Sequence, residues 1–119
     1  MHPAELARGI ALFNGAHFFE AHEVLEDVWR AAPAEEKRFF QGLVQLAVAF
    51  HHHSTGNRIG MRSVMERGMR NLDGYPNDFY GIQLPPLQHS LREWREALDN
   101  QRPPPSLPRI ESSGPGSAA

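Results

Sequence analysis

His22 and Glu26 stand four positions apart in the string His22-Glu23-Val24-Leu25-Glu26. On a helix that spacing sets an imidazole and a carboxylate one above the other on one face. Two chemistries are open to such a pair. A neutral ring nitrogen and a carboxylate oxygen can hold one divalent ion, zinc, manganese or iron, or the two groups can share a charge-assisted hydrogen bond. Glu23 projects about 100° round the helix from His22, where a general base beside a bound ion would stand.

The string is one residue away from the zinc-protease pattern H-E-x-x-H, with Glu26 in place of the second His. A third candidate ligand is His51. It ends an apolar stripe of Phe40, Val44 and Ala47 on a helix expected inside the protein, where an unpaired imidazole is costly, so it needs a polar partner. Helices two and three packed side by side would bring His51 to His22 and Glu26. Glu20, Gln41, Gln45 and Trp29 are then the candidates for supporting positions around them. The same residues have a plainer use, because a His and Glu at this spacing also make a structural pair and His51 a hydrogen-bonded core histidine. The run His51-His52-His53 cannot close on one ion, since consecutive helical side chains diverge by about 100°. No phosphate-cradling glycine loop or nucleophile elbow is present.

The elements that must carry these residues are helices, since five segments show helical spacing of apolar residues and none of length alternates as a strand does. Leu6, Ile10 and Phe13 mark the first, opened by Pro3 and closed at Asn14-Gly15. Phe18, Ala21, Leu25, Val28 and Trp29 line one arc of the second, which ends near Ala31, with Glu20, Val24 and Asp27 pointing away. The third runs from Pro33 to about His53 and carries two stripes, Phe39, Leu43, Leu46, Phe50 and Phe40, Val44, Ala47, His51, so it reads as the central helix. Gln41, Gln45 and His52 form a polar line on it. After the turn Thr55-Gly56-Asn57, with Asn57 as N-cap, the fourth helix places Met61, Val64, Met65, Gly68 and Leu72 on one face. Met61, Met65 and Met69 read as core filler. A loop with Tyr75, Phe79, Tyr80 and Ile82, too apolar to stand in water, leads to Pro85-Pro86 and a fifth helix striped by Leu87, Leu91, Trp94 and Leu98.

The expected fold is therefore all-α: a five-helix bundle of two antiparallel hairpins, one with two and three with four, plus a C-terminal helix, in one domain over 1–100. The two hairpin turns lie about 41 positions apart, which hints at a pseudo-repeat. Residues 101–119 form a Pro/Ser/Gly-rich tail, with Leu107 and Ile110 expected to pin its first half and the last eight or so residues mobile.

Composition narrows the function. A net charge of -2 with 12 scattered Lys and Arg offers no field for phosphates, so nucleic acid is excluded as a generic partner. The longest apolar run, Gly42 to Phe50, is far short of the roughly 20 residues that span a bilayer, and the N-terminus has no secretory pattern. The absence of cysteine excludes thiolate sites and a Cys nucleophile and is compatible with the cytoplasm. A homodimer burying Met or Phe side chains is compatible with the composition.

Read in order, Leu12-Phe13-Asn14-Gly15, Phe19-Glu20-Ala21-His22-Glu23-Val24-Leu25-Glu26, Trp29, Phe40-Gln41-Gly42-Leu43, Gln45-Leu46-Ala47, His51, Gly56-Asn57 and Gly60 resemble domain-of-unknown-function family 309 over about residues 5 to 84. The resemblance implies a small helical bundle, implies metal-dependent hydrolysis as an activity associated with the family, and marks His22, Glu23, Glu26, Trp29, Gln41, Gly42 and His51. His52, His53 and the Pro-rich tail depart from its simpler members. Two readings follow. In the first, His22, Glu26 and His51 form a polar network between helices two and three of a non-enzymatic module that binds a partner. In the alternative they ligate one divalent ion in a hydrolase with Glu23 as general base.

Overall fold

The computed structural model describes residues 3–112. The fold is all-α, with helices α1 (Pro3–Asn14), α2 (Phe18–Ala31), α3 (Lys37–Ser54), α4 (Arg58–Leu72) and α5 (Leu84–Asp99), and 3-10 turns at Ala34–Glu36 and Phe79–Gly81. The helix expected from Pro33 is thus a 3-10 turn followed by α3, with the backbone opening to φ -108, ψ -9 at Glu36 where the two meet. The tail beyond Ser112, expected to be mobile, lies outside the described residues. By packing, the chain divides into two compact units, Met1–Asp73 and Gly74–Ala119.

In the first unit α1 packs on α2, α2 on α3 and α3 on α4, so α3 is the central helix its two stripes predict. Phe39, Phe40, Leu43, Leu46, Ala47 and Phe50 are all buried, each large side chain contributing about 2 kcal/mol. Phe13, Phe18 and Phe50, from α1, α2 and α3, close one end of the core with ring centroids 5.2 to 6.3 Å apart. Val24, expected to point away, is buried instead. A Cβ on Gly9 would stand 2.7 Å from Leu25 and in contact with Val24 at 3.5 Å, so α1 approaches α2 closely and covers a second strip of it. α3 and α4 approach closely at Gly42 and Gly68, where a Cβ on either would meet the other's carbonyl oxygen at 3.1 Å.

Both hairpin turns share one geometry. His17 N–H donates to Leu12 O and Asn57 N–H to His52 O, the six-residue closure that ends a helix on a left-handed residue. That residue is Gly56 (φ 80) in the second turn and Ala16 (φ 64), rather than Gly15, in the first. Asn57 caps α4 by accepting from Gly60 N–H at 2.9 Å, whereas His17 makes no such bond for α2. The pseudo-repeat is thus real at the turns, with matching positions 40 apart.

Two cations begin α3, against the sense of its own dipole. Each serves a neighbour. Lys37 Nζ donates to Trp29 O and Arg30 O at 2.9 Å and lies 5.5 Å from the Trp29 ring centre, sealing the last turn of α2. Arg38 donates to the carbonyls of Arg70, Asn71 and Asp73 at 3.0 to 3.3 Å, sealing α4. Antiparallel packing sets the C-termini of α2 and α4 beside the N-terminus of α3, which places these carbonyls in reach.

In the second unit α5 opens on Pro85-Pro86 and buries Leu84, Leu87, Leu91, Trp94 and Ala97. Ala97 takes the place expected for Leu98, which is half-buried. Tyr80 is exposed in a left-handed conformation (φ 53, ψ 30), while Ile82 is fully buried. In the tail Ile110 is buried as expected, but Leu107 is 43 % exposed and Pro108 is buried in its stead. No described helix is long and apolar enough to cross a membrane.

Candidate functional site

The i, i+4 spacing on α2 delivers its pair. His22 Nε2 lies 3.1 Å from Glu26 Oε2, with side chains 28 % and 29 % exposed. Glu26 does not face His22 alone. Its other oxygen accepts from Arg30, whose second nitrogen binds Asp27 at 3.0 Å, so the imidazole, the carboxylate and the guanidinium form a ladder up one side of α2.

His51 stands on the last turn of α3, half-buried, and meets α2 through an aromatic ring. Phe19 touches both imidazoles, with ring centroids 5.5 Å from His51 and 5.9 Å from His22. The expected hydrogen-bonded meeting of His51 with the His22–Glu26 pair is not formed. The reason is position: His51 lies where α3 emerges from the core, so water reaches the ring and the cost of burying it unpaired does not arise. Phe18 and Phe19 divide the work of their pair, Phe18 buried in the aromatic cluster and Phe19 52 % exposed above it. Ala16, His17, Phe18, Phe19, Glu20, His51 and Ser54 surround an open depression of about 200 Å³. His17 Nδ1 lies 4.0 Å from Glu20 on its rim. Because α2 and α4 begin at this end and α3 stops here, Ile59 on the first turn of α4, 86 % exposed, belongs to the same end of the unit.

The remaining sequence candidates scatter. Glu23 is exposed on α2 and lines neither this depression nor a charged pair. Gln41 is exposed. Gln45 Oε1 accepts from Asn71 Nδ2 at 2.6 Å, so this glutamine joins α3 to α4 and does not support the His22 side. His52 accepts from Asn57 Nδ2 at 3.4 Å, also toward α4. Trp29 is half-buried under Lys37. Glu20 alone of the supporting set lines the depression. Sequence reasoning missed Phe19 as a surface residue and Lys37 and Arg38 as caps. A doubled Phe on a helix must turn one ring about 100° from the other, which was the available signal for Phe19. For the caps the signal was two cations opening a helix.

The donor set does not fit a divalent ion. No group of three or more His, Asp or Glu side chains among the described residues is arranged to hold one. His22 and Glu26 supply two donors, one of them shared with Arg30, and a ring stands between them and His51. Among the described residues no polar or charged side chain is buried, and no buried side-chain nitrogen or oxygen lacks a partner.

Residues 6–64 match the model of a family described as domain of unknown function (DUF309). An uncharacterized protein of Aquifex aeolicus (strain VF5) is 31 % identical over 101 residues, covering 84 % of this chain and 30 % of that protein. The uncharacterized protein YpuF of Bacillus subtilis (strain 168) is 41 % identical over 56 residues, covering 46 % of this chain and 32 % of that protein. The chain spans about a third of the length of the curated relatives it matches.

Proposed function

We propose, from the premise that residues 6–64 belong to the DUF309 family, that the first unit is a partner-binding helical module that acts without catalysis. Its contact surface is the end where α2 and α4 begin. The observation that carries this reading is Phe19: a large aromatic side chain, half in water, set between two imidazoles over a fully packed core. Water gains nothing from such a ring, and the core beneath it is already closed by Phe13, Phe18 and Phe50. An aromatic anchor ringed by polar groups is the usual centre of a protein contact, worth about 2 kcal/mol or more when a partner buries it. His22, Glu26 and His51 then act as a frame that holds the ring, and Ile59 extends the apolar surface. The same reading sets the protein in the cytoplasm, in keeping with a sequence that lacks cysteine.

A divalent-metal hydrolase built on His22, Glu26 and His51 is not favoured. It requires three convergent donors, which the described residues do not supply, and Glu23 stands exposed on α2. The partner reading is tested by placing a photoreactive benzophenone side chain at position 19, at 59, and at the exposed control positions 11 and 27, in the native host. Light should give one common covalent adduct from 19 and 59 that the controls lack. Equal yields from all four positions, or none from 19, would contradict the reading.

A further inference from the structure

The second unit carries a feature that the proposed function leaves unused. α5 ends with Asn100 N–H donating to Glu96 O at 3.0 Å and Arg102 N–H to Ala97 O at 2.9 Å. Between them Gln101 sits at φ 54, a left-handed conformation that L side chains resist. The chain then turns back along the helix, held at the elbow by an exposed ion pair, Arg102 to Glu96 at 3.1 Å. Beneath the elbow lies an open depression of about 310 Å³ lined by Glu93, Glu96, Ala97, Arg102, Pro103 and Pro105. The elbow is strained at Gln101 and open to water on one side.

Beyond it the segment is well held. Trp94 Nε1 donates to Ser106 O at 2.9 Å, Gln83 N–H donates to Glu111 O at 2.9 Å, and Ile82 pairs antiparallel with Ser112. Pro108 and Ile110 are buried. Four prolines between 103 and 108 remove N–H donors, so the segment cannot fold on itself and docks in extended form. An indole N–H on a carbonyl together with main-chain pairing to a free backbone edge is the way proteins hold extended peptides.

We propose that residues 105–112 are exchanged between two copies of the chain, the face made by Ile82, Gln83 and Trp94 accepting the segment of a second copy in place of its own, with Asn100–Arg102 as the hinge. The occupant is fixed by what already sits there: every contact named beyond the elbow is remade, atom for atom, when the segment comes from another copy. The closed and exchanged forms differ at the elbow, where opening frees Gln101 from the left-handed region at the cost of the Arg102 N–H to Ala97 O bond and of one ion pair more than 60 % exposed at both ends. Closure has the advantage of being intramolecular, so exchange grows with protein concentration. Exchange of this segment is independent of the reading of the first unit.

The test measures mass by light scattering across micromolar to millimolar protein, for the full chain and two hinge variants. Gln101→Gly accepts the left-handed turn, and should weaken dimerisation by roughly fivefold per hinge and about 25-fold for a dimer with two. Gln101→Pro forbids it and should strengthen dimerisation by at least as much. Exchange itself is read without touching the hinge, by mixing Ile82→Cys chains with Ser112→Cys chains at high concentration and oxidising them. Unlike chains should join in a mixed disulfide well above the yield with Arg92→Cys in place of Ile82→Cys. Monomers at every concentration for all three hinge sequences, or dimers that give no mixed disulfide above that control, would overturn the proposal.

Discussion

Replacing Ala16 by Gly and His17 by Ser should make the protein more stable, although neither change adds a buried atom. The second hairpin turn shows why. Gly56 holds the left-handed position there and Asn57 caps the following helix, whereas the first turn asks the same of Ala16 at φ 64 and leaves α2 without a side-chain cap. A left-handed L residue costs roughly 1–2 kcal/mol. Glycine recovers this, less roughly 0.4–1 kcal/mol for its greater freedom in the unfolded chain. The hydroxyl that His17→Ser introduces would accept from Glu20 N–H as Asn57 Oδ1 accepts from Gly60, worth about 1 kcal/mol. The lost His17–Glu20 pair, at 4.0 Å and more than 60 % exposed at both ends, is worth a few tenths of that at most. Together the double variant should gain about 1.5 kcal/mol. Urea unfolding followed by circular dichroism reads this as a higher midpoint with an unchanged slope. An Ala16→Gly variant less stable than the parent would refute the reasoning, since position 16 would then not hold its positive φ in solution.

Three further outcomes follow from the packing. Gly42→Ala and Gly68→Ala should each cost about 1–2 kcal/mol in the same assay, overpacking outweighing the gain in helix propensity, and the double variant should cost less than their sum because both push the same crossing apart. Arg38→Met should cost about 1 kcal/mol by leaving three carbonyls of the α4 end to water, and hydrogen exchange should quicken at the last turn of α4 before it does elsewhere. Glu26→Gln should change stability by less than about 1 kcal/mol, because its ion pairs are partly solvated; a loss of several would mean that the network lies deeper than the structure has it.

Helix positions were legible because apolar spacing and capping chemistry are local. Leu6, Ile10 and Phe13, the two stripes of α3, and the Asn57 cap all follow from residue types a few positions apart. What is covered depends on neighbours, which spacing does not reveal. Val24 faces away from the main stripe of α2 yet is buried, because Gly9 lets α1 come close on that side. Pro108 rather than Leu107 turns inward, since the extended tail is positioned through its own carbonyls by the Gln83 N–H and the Trp94 indole, partners that leave no mark in its own sequence. The candidate site divides in the same way. His22 and Glu26 met because both lie on one helix. Joining His51 to them required its depth along α3, and a helical wheel gives direction without depth. Gly42, one of the positions marked by the family resemblance, is accounted for by the approach of α4 at Gly68 and needs no role in chemistry.

The function proposed for the first unit depends on the ring at position 19 as a binding anchor. Once its photo-adduct identifies the protein bound there, the affinity of that protein should be titrated against the parent chain and against Phe19→Ala, with circular dichroism confirming that both are folded. Loss of the anchor should weaken binding by about 30-fold or more. An unchanged affinity in a folded Phe19→Ala chain would contradict the account.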